Sequence, residues 1–259
     1  MLRERGSNMD IYSLKKLEEI YIELLEKGAS FHLMKDLKRT KRGIILRHDL
    51  DTEMDSALPV AQMEHGLGIK SSYFFLVTSR FYNLYCDHCR KILHEILSLG
   101  HEVGLHFDAS IYPEESLEEA FWEEKHILEV ILKQKIYSLS LHNPSLTGKY
   151  PYFKNIVNAY DWDIFSPKNY FSDSMFAFKA TVDQIIDEAK HNIVQILFHP
   201  AQYCIRNEKE PPGVIYMRKI EIERFGNALI ELIVAHPLFA EEIRRYPKSY
   251  LDIKIKLKD

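Results

Sequence analysis

Short apolar runs that alternate with helical segments are the feature of this 259-residue chain that most constrains its fold. Seven runs have the length and composition of strands, and most are followed by a segment whose apolar residues recur every three or four positions. Strands that alternate with helices in this way predict βαβ units and a mainly parallel α/β sheet. This number of units favours a closed or nearly closed barrel, and an open doubly wound sheet is the alternative.

The boundaries of these elements follow from periodicity and from turn residues. The predicted strands cover residues 43–46, 72–77, 102–107, 137–141, 162–165, 170–172 and 193–198. The predicted helices cover residues 11–27, 54–65, 85–99, 116–132, 153–159, 181–190 and 220–234. Ser116 with Glu119, and Thr181 with Gln184, have the spacing of capping boxes at helix starts. Residues 251–257 alternate apolar and charged side chains, which predicts either an edge strand or a frayed end.

The composition favours one domain with a large core. Apolar residues make up 46% of the chain, which is ample for a single core. We expect one domain over residues 1–259, with a helical extension at 1–42, a motif-bearing barrel at 43–203 and a helix and tail at 204–259. The net charge of -4 gives no general attraction to nucleic acid or to anionic membranes, so neither is an expected partner.

Three sequence features bear on the cellular compartment: membrane-spanning segments, signal peptides and the number of cysteines. No stretch reaches the roughly 18–20 apolar residues that a membrane-spanning helix needs. The first ten residues are polar and lack the apolar core of a signal peptide. The three cysteines Cys86, Cys89 and Cys204 are odd in number, which favours free thiols in a reducing compartment. We therefore expect a cytoplasmic protein.

Acids and histidines stand where several predicted strands end. Residues of equal parity share one face of a strand, so Asp49 and Asp51 point to one side, as do His106 and Asp108. His101 has the opposite parity to His106 and opens its strand, about 17 Å away at about 3.3 Å per residue. We interpret His101 as a structural residue at the far end of the barrel.

Further strand ends carry the same residue types. His142 and His199 each end a strand with a proline close behind, and Asp173 follows the run at 170–172. The carboxyl ends of parallel strands form the rim on which barrels build active sites. Any one of these residues is more often a rim or capping residue than a ligand, but their repetition favours a site. The side chains expected to converge are Asp49, Asp51, His106, His142, Asp173 and His199.

The residue types indicate a divalent metal, with zinc as the first choice, because Asp and His are its common ligands. Cys86-Asp87-His88-Cys89 has metal-ligand spacing too, but it stands alone within a helical pattern, which favours helix-packing or surface thiols. The chain has neither a Gly-rich phosphate loop nor a Gly-x-Ser-x-Gly elbow, which argues against nucleotide-dependent and serine-hydrolase chemistry. An unrelated barrel amidohydrolase would need His-x-His on the first strand, where this chain has Asp-x-Asp.

The order of these motifs resembles the polysaccharide deacetylase superfamily, the NodB-homology carbohydrate esterases of family 4. It is most similar to a bacterial surface-polysaccharide branch whose first motif is His-Asp-x-Asp. The resemblance runs from about residue 43 to 203 and is carried by His48-Asp49-Leu50-Asp51, Gly100 to His106, and Leu197-Phe198-His199. It implies a distorted (β/α)7 barrel, a divalent metal, often zinc, and removal of acetyl groups from N-acetylated sugars.

The resemblance also implies roles for individual residues. Asp49 resembles the catalytic base, Asp51 and His106 resemble metal ligands, and His199 resembles the general acid. Ser110 stands where the family has its second ligand histidine, which is a departure from the pattern.

A third metal ligand must then come from elsewhere. We favour His142, and Asp108 is the alternative because it shares the face of His106. The residues predicted to bind substrate or to support the site are Arg47, His48, Tyr82, Asn83, Asp108, Asn143 and Asp173.

The function that these motifs predict is a metal-dependent hydrolase of carbon–nitrogen bonds, which removes an N-acetyl group from a sugar or polysaccharide precursor. Because Ser110 interrupts the ligand pattern, the alternatives are a non-catalytic carbohydrate-binding relative and a hydrolase of another amide or ester. The substrate and the oligomeric state stay open at this point.

Overall fold

The computed structural model describes residues 12–174 and 178–204, and the statements below refer to these residues. The chain forms two compact units, residues 1–206 and 207–259, and all described residues belong to the first. The predicted helix at 220–234 and the predicted tail at 251–257 lie outside the described residues, and the expectation of a single domain stays a prediction.

Strands and helices alternate along the chain, as its apolar pattern predicts. The strands are β1 Phe31–His32, β2 Gly43–Leu50, β3 Ser72–Leu76, β4 Glu102–Phe107, β5 Ser138–Leu141, β6 Val157–Asn158, β7 Tyr170–Ser172 and β8 Ile193–Phe198. The helices are α1 Leu14–Glu26, α2 Ala57–Gly66, α3 Asp87–Ser98, α4 Leu117–Leu132, α5 Pro144–Thr147, α6 Val182–Ala189 and α7 Ala201–Cys204. A two-turn 3₁₀ helix covers Met34–Arg39, and single 3₁₀ turns cover Ala109–Ile111 and Glu114–Ser116.

The strands pair in parallel throughout and form one sheet. Its order is β6-β5-β4-β3-β2-β8-β7, and β1 adds to β2 outside this path. β2 is central and buried along its whole length, as expected of a parallel strand that is covered on both faces. Within the described residues, β6 and β7 are not paired with each other, so the sheet is an open half-barrel. The predicted α/β class with a distorted (β/α)7 barrel is confirmed.

Two apolar cores lie on the two faces of this sheet. The larger core packs the helices against the outer face, and α1 contributes Leu17, Tyr21 and Leu24 to it. The smaller core fills the inner face around Ile45 and Phe74. A Cβ on Gly104 of β4 would lie 2.5 Å from the Phe74 ring, so the missing side chain makes room for this packing.

Of the two predicted capping boxes, one is present in the structure and one is not. Thr181 and Gln184 form the predicted capping box at the start of α6. The box predicted for Ser116 and Glu119 is wrong, because a 3₁₀ turn precedes α4 and holds Ser116 outside the extended N-cap conformation. The Ser116 hydroxyl donates instead to the Pro113 carbonyl at 3.1 Å.

The segment between β5 and β7 is also different from its prediction. The helix predicted at 153–159 is replaced by a turn with Asn155 at φ 63° and by the short strand β6. The strand predicted at 162–165 is a turn, in which the N–H groups of Ile164 and Phe165 donate to the Asp161 carbonyl. The apolar side chains that suggested a strand are divided, since Ile164 is buried and Trp162 is 90% exposed.

The parallel register brings polar residues to the carboxyl ends of the strands. His106 of β4 pairs with Ser140 of β5, so His142 lies just beyond β5 on the same face. Asp49 of β2 pairs with Phe74 of β3, and Asp51 follows directly after β2. None of the helices in the described residues is long and apolar enough to cross a membrane.

Candidate metal centre

Three side chains at the rim of the sheet point their ligand atoms at one another. Oδ1 of Asp51 is 3.0 Å from Nε2 of His106 and 3.4 Å from Nδ1 of His142. The two imidazole nitrogens are 3.2 Å apart. Among the residues that the structure describes, no other group of three His, Cys, Asp or Glu residues gathers in this way.

The tautomer of the neutral His106 ring follows from the hydrogen-bond partner of Nδ1. Nδ1 lies 3.1 Å from the backbone carbonyl of Ser140, and only an N–H group can donate to that oxygen. The neutral ring therefore presents the lone pair of Nε2 to Asp51 and His142. A ligand histidine that donates its other N–H to a backbone carbonyl is the usual arrangement at protein metal sites.

His142 is oriented by its neighbour in the chain. Asn143 adopts a left-handed backbone conformation with φ 46°, which asparagine tolerates better than most residues. Its side-chain amide nitrogen donates to Nε2 of His142 at 2.9 Å, and this contact orients the ring with Nδ1 facing Asp51. The ring of His142 stands edge-on to that of His106, with centroids 5.1 Å apart.

The separations of the donor atoms fit a tetrahedral metal. Ligand atoms about 2.0–2.1 Å from a tetrahedral zinc lie roughly 3.3–3.4 Å from each other. The three donor atoms here are separated by 3.0, 3.2 and 3.4 Å. Burial would raise the pKa of Asp51, but its close contacts with the His106 and His142 rings hold it well below its usual range. The donor set of one carboxylate and two imidazoles thus fits a zinc-type ion.

Asp49 lies beside this triangle and is held by an arginine from its own strand. Nε and Nη2 of Arg47 donate to the two carboxylate oxygens of Asp49 at 2.9 and 2.5 Å. The Ser140 hydroxyl donates to Oδ2 at 3.1 Å, and Nε2 of His106 lies 3.8 Å from the same oxygen. Burial raises the pKa of Asp49, but the Arg47 charge and hydrogen bonds, together with the charges of His106 and His199, outweigh burial and the net pKa is lowered. Asp49 is therefore ionised at neutral pH.

Arg47 is fixed by more than its carboxylate partner. Its side chain is fully buried, and Nη2 donates to the Tyr160 hydroxyl at 2.9 Å. The guanidinium also lies over the Tyr160 ring, 4.7 Å from the ring centroid. The charge that accompanies Asp49 thus has a rigid position inside the half-barrel.

His199 faces the triangle from β8 and is paired with a buried acid. Its Nδ1 donates to Oδ1 of Asp173 at 2.6 Å, and its backbone N–H donates to Oδ2 at 2.8 Å. Nε2 points to Asp51, with Oδ2 of that residue 3.8 Å away. Burial lowers the pKa of His199, but Asp173, together with the charges of Asp51 and Asp49, outweighs burial and raises the pKa to about 9. His199 is therefore protonated at neutral pH.

A cleft of about 240 Å³ opens above these residues. Along one side it has a wall of four aromatic rings, each in contact with the next: Tyr150, Tyr160, Phe165 and Tyr170. The cleft also contacts Asp49, Asp51, His106, His142 and His199, so the candidate ligands and the aromatic wall share one opening.

Several predicted site residues are not brought to this cleft. His48 lies on the opposite face of β2, where Nε2 bonds to Glu64 at 2.7 Å and Nδ1 bonds to the Phe198 carbonyl. Asp108 accepts hydrogen bonds from the backbone and hydroxyl of Ser110, at 2.9 and 2.6 Å. Ser110 is exposed, so the structure brings His142, rather than Asp108 or Ser110, to Asp51 and His106.

Tyr82 and Asn83, the two residues predicted in the loop after β3, form hydrogen bonds with the backbone outside the cleft. The Tyr82 hydroxyl accepts the N–H of Leu76 at 2.8 Å and donates to the Leu50 carbonyl at 2.6 Å. Asn83 is exposed and accepts the N–H of Tyr85 at 2.9 Å. Both residues support the rim through the backbone, and neither lines the cleft.

Sequence reasoning missed the aromatic wall and the role of Ser140. Ser140 shares the strand face of His142 by parity, so this signal was present in the sequence. Tyr160 lies in the turn directly after β6, Phe165 ends the turn that replaces the strand predicted at 162–165, and no local pattern marks either residue. They reach the cleft only because the chain folds back after β6.

The fold is similar to three solved structures. The peptidoglycan deacetylase PdaC from Bacillus subtilis is 16% identical, and the match covers 70% of this chain and 85% of that chain with a TM-score of 0.43. A CE4 family pseudoenzyme from Bacillus anthracis is 13% identical, with 71% of this chain and 62% of that chain covered and a TM-score of 0.42. A CE4 esterase from Streptococcus mutans is 12% identical, with 72% of this chain and 85% of that chain covered and a TM-score of 0.42. These proteins belong to the group that the sequence motifs resemble.

At identities of 12–16% and TM-scores of 0.42–0.43, this likeness carries no argument about activity. The fold class follows from the strand order of this chain itself. No family model matches the sequence, and no curated protein matches it closely enough to indicate a relative.

Proposed function

We propose that this protein is a metal-dependent deacetylase that removes an N-acetyl group from a sugar or polysaccharide precursor. The observation that supports it most is the triangle of Asp51, His106 and His142, whose donor separations of 3.0–3.4 Å suit one tetrahedral ion. These three residues would hold the metal, and zinc is our first choice. When bound, such an ion polarises an acyl carbonyl and lowers the pKa of water to about 7.

Asp49 is the proposed general base. It is ionised, and it lies beside the triangle with Oδ2 3.8 Å from Nε2 of His106. Arg47 keeps both carboxylate oxygens in place, so Asp49 accepts a proton from the attacking water without first reorienting. A positioned base of this kind contributes about 10²–10⁴-fold to the rate.

His199 is the proposed general acid. With its pKa raised to about 9, the imidazolium form carries a proton on Nε2 at neutral pH. Nε2 faces the cleft, while Nδ1 is held by Asp173. His199 donates this proton to the departing amine nitrogen, and Asp173 stabilises the charged form before the transfer.

The proposed substrate is an acetylated sugar because of the walls of the cleft. Tyr150, Tyr160, Phe165 and Tyr170 offer flat apolar faces with polar edges, which suit the mixed apolar and hydroxyl faces of a sugar ring. The free thiols Cys86, Cys89 and Cys204 fit a reducing compartment, so we propose a precursor that is modified in the cytoplasm.

The proposal is tested with Asp49→Asn in protein loaded with zinc. We expect the variant to bind about one equivalent of zinc and to release acetate from N-acetylglucosamine oligomers about 10²–10⁴-fold more slowly than the parent. The matched control is Asp187→Asn, because Asp187 is exposed on α6 and pairs with Lys190 at the surface. The control should keep the parent rate.

Two results would contradict the proposal. One is an Asp49→Asn variant that releases acetate at nearly the parent rate. The other is parent protein that retains less than about one-tenth equivalent of zinc after loading and releases no acetate, which would favour a carbohydrate-binding module.

A further inference from the structure

Two cysteines at the beginning of α3 have no part in the proposed metal centre. Cys86 is the N-cap residue of α3 and is exposed, whereas Cys89 lies in the first turn and is 5% exposed. The backbone N–H of Cys89 donates to Sγ of Cys86 at 3.4 Å. The spacing therefore places both thiols on the same side of the first turn, within the range that a disulfide can bridge.

The same motif does not form a metal site. Among the described residues, Cys86 and Cys89 do not gather with a third ligand, and His88 pairs instead with Asp55 at 2.5 Å. Asp87, the remaining residue between the cysteines, is bound to Lys91 at 2.7 Å. The two thiols thus have only each other as chemical partners within the motif.

The two thiols differ in access. Cys86 is exposed to solvent at the N-terminus of α3. Burial raises the pKa of Cys89 to about 12, and its hydrogen bond to Cys86 adds to this rise. Dithiols that exchange with disulfides commonly combine an exposed attacking thiol with a protected resolving thiol.

We propose that Cys86 and Cys89 form a reversible intramolecular disulfide by exchange with a small disulfide of the glutathione class. The Cys86 thiolate attacks one sulfur of the small disulfide, forms a mixed disulfide and releases one small thiolate. Cys89 then loses its proton, attacks Sγ of Cys86 and displaces the second small thiolate. Two protein thiols are oxidised, and one small disulfide is reduced to two thiols.

The cysteine pair lies near the rim of the sheet but is not part of the candidate metal centre. α3 follows β3, so its first turn lies at the carboxyl end of the sheet. The His88–Asp55 pair links that turn to the segment after Asp51. The proposal concerns the thiols alone, and its test requires neither a bound metal nor acetate release.

The test uses the full, reduced chain in mixtures of oxidised and reduced glutathione. After acid quenching and alkylation, peptide mapping by mass spectrometry should show a Cys86–Cys89 disulfide, with Cys204 alkylated. Burial raises the pKa of Cys204 to about 11, so it should exchange slowly. Reduced glutathione in excess should return both thiols.

Single variants separate the two steps. Cys89→Ser should accumulate a glutathione adduct on Cys86, Cys86→Ser should accumulate none on Cys89, and Cys204→Ser should behave as the parent. Wild-type mapping decides the matter alone if a cysteine variant does not fold. A stable glutathione adduct on wild-type Cys86, a disulfide to Cys204, or thiols that stay reduced in excess oxidised glutathione would each overturn the proposal.

Discussion

Two clusters of one carboxylate and several histidines lie on opposite faces of the same strands. The rim cluster joins Asp51 to His106 and His142 beside the cleft. The buried cluster joins Glu64 of α2 to His48 of β2, and His101 lies 3.9 Å from the same carboxylate. The residue types are the same in both, so composition does not distinguish them.

The two clusters differ in how their hydrogen bonds are satisfied. In the buried cluster, Nδ1 of His48 bonds to the Phe198 carbonyl, and Nε2 of His101 bonds to the Ala61 carbonyl. Their other ring nitrogens face Glu64 or Ser71, and no side chain of the cluster reaches solvent. Such a network rigidifies a core and leaves no lone pair for a ligand.

The rim cluster instead has three ligand atoms that converge on one point beside an open cleft. Nε2 of His106 and Nδ1 of His142 are 3.2 Å apart, and a proton or a cation between the two nitrogens holds them at that distance. The cleft gives that position access to solvent. Convergence of ligand atoms and access from solvent, rather than residue type, therefore distinguish the candidate metal site from the buried cluster.

Removing the carboxylate of the rim cluster should have the largest effect on activity. Asp51→Ala deletes one donor atom of the triangle, so zinc binding should be lost and acetate release should fall about 10³-fold or more. Folding stability should change by less than about 1 kcal/mol because Asp51 is partly exposed. Zinc content by mass spectrometry and acetate release check this. A variant that holds zinc as tightly as the parent would show that the triangle is not the site.

Removing the carboxylate of the buried cluster should have the opposite signature. Glu64→Ala leaves His48, Ser71 and Tyr73 without their shared acceptor, so the free energy of unfolding should fall by about 3–5 kcal/mol. Zinc content per folded molecule should stay at the parent level. Urea denaturation measures the loss, with the exposed Glu123→Ala on α4 as the control. An unchanged midpoint for Glu64→Ala would contradict the structural role.

The pairing of His199 with Asp173 should show in the pH dependence. Asp173, followed by Asp51 and Asp49, overcomes burial and raises the folded-state pKa of His199 from about 6.5 to about 9. The stabilisation from this charged form is full below about 6.5 and is lost as pH rises through 9. In Asp173→Asn, the alkaline limb of kcat/KM should move down towards pH 6.5. A cation at Asp51 lowers the pKa of His199 in both the parent and the Asp173→Asn variant. The quantity to measure is therefore the difference between the two pH profiles. Coinciding alkaline limbs would remove His199 as the acid.

The sequence predicts the frame of the molecule well because its signals there are local. β4, β7 and β8 have the predicted bounds, since each is a short apolar run between turn residues. The convergence of Asp51, His106 and His142 also follows from local signals, namely strand order and parity. Parity would equally have separated His48 from Asp49, because adjacent residues of a strand face opposite sides.

The parts that the sequence did not predict depend on contacts between distant segments. Glu64 is the partner of His48 only because α2 packs on the outer face of β2. Tyr160 reaches Arg47 across 113 positions of the chain, from a turn that directly follows β6. The clustering of such residues is set by tertiary packing, for which the periodicity of one segment carries no signal.

A matched pair of serines tests the comparison at its finest scale. Ser140 donates to Asp49 at the rim, and Ser71 donates to Glu64 in the buried cluster. Ser71→Ala should lower the free energy of unfolding by about 1–3 kcal/mol and leave acetate release per folded molecule unchanged. Ser140→Ala should slow acetate release a few-fold, because Asp49 keeps Arg47 but loses one of the donors that orient it. If both variants change stability alone, Ser140 belongs to the packing of the half-barrel and has no part in positioning the base.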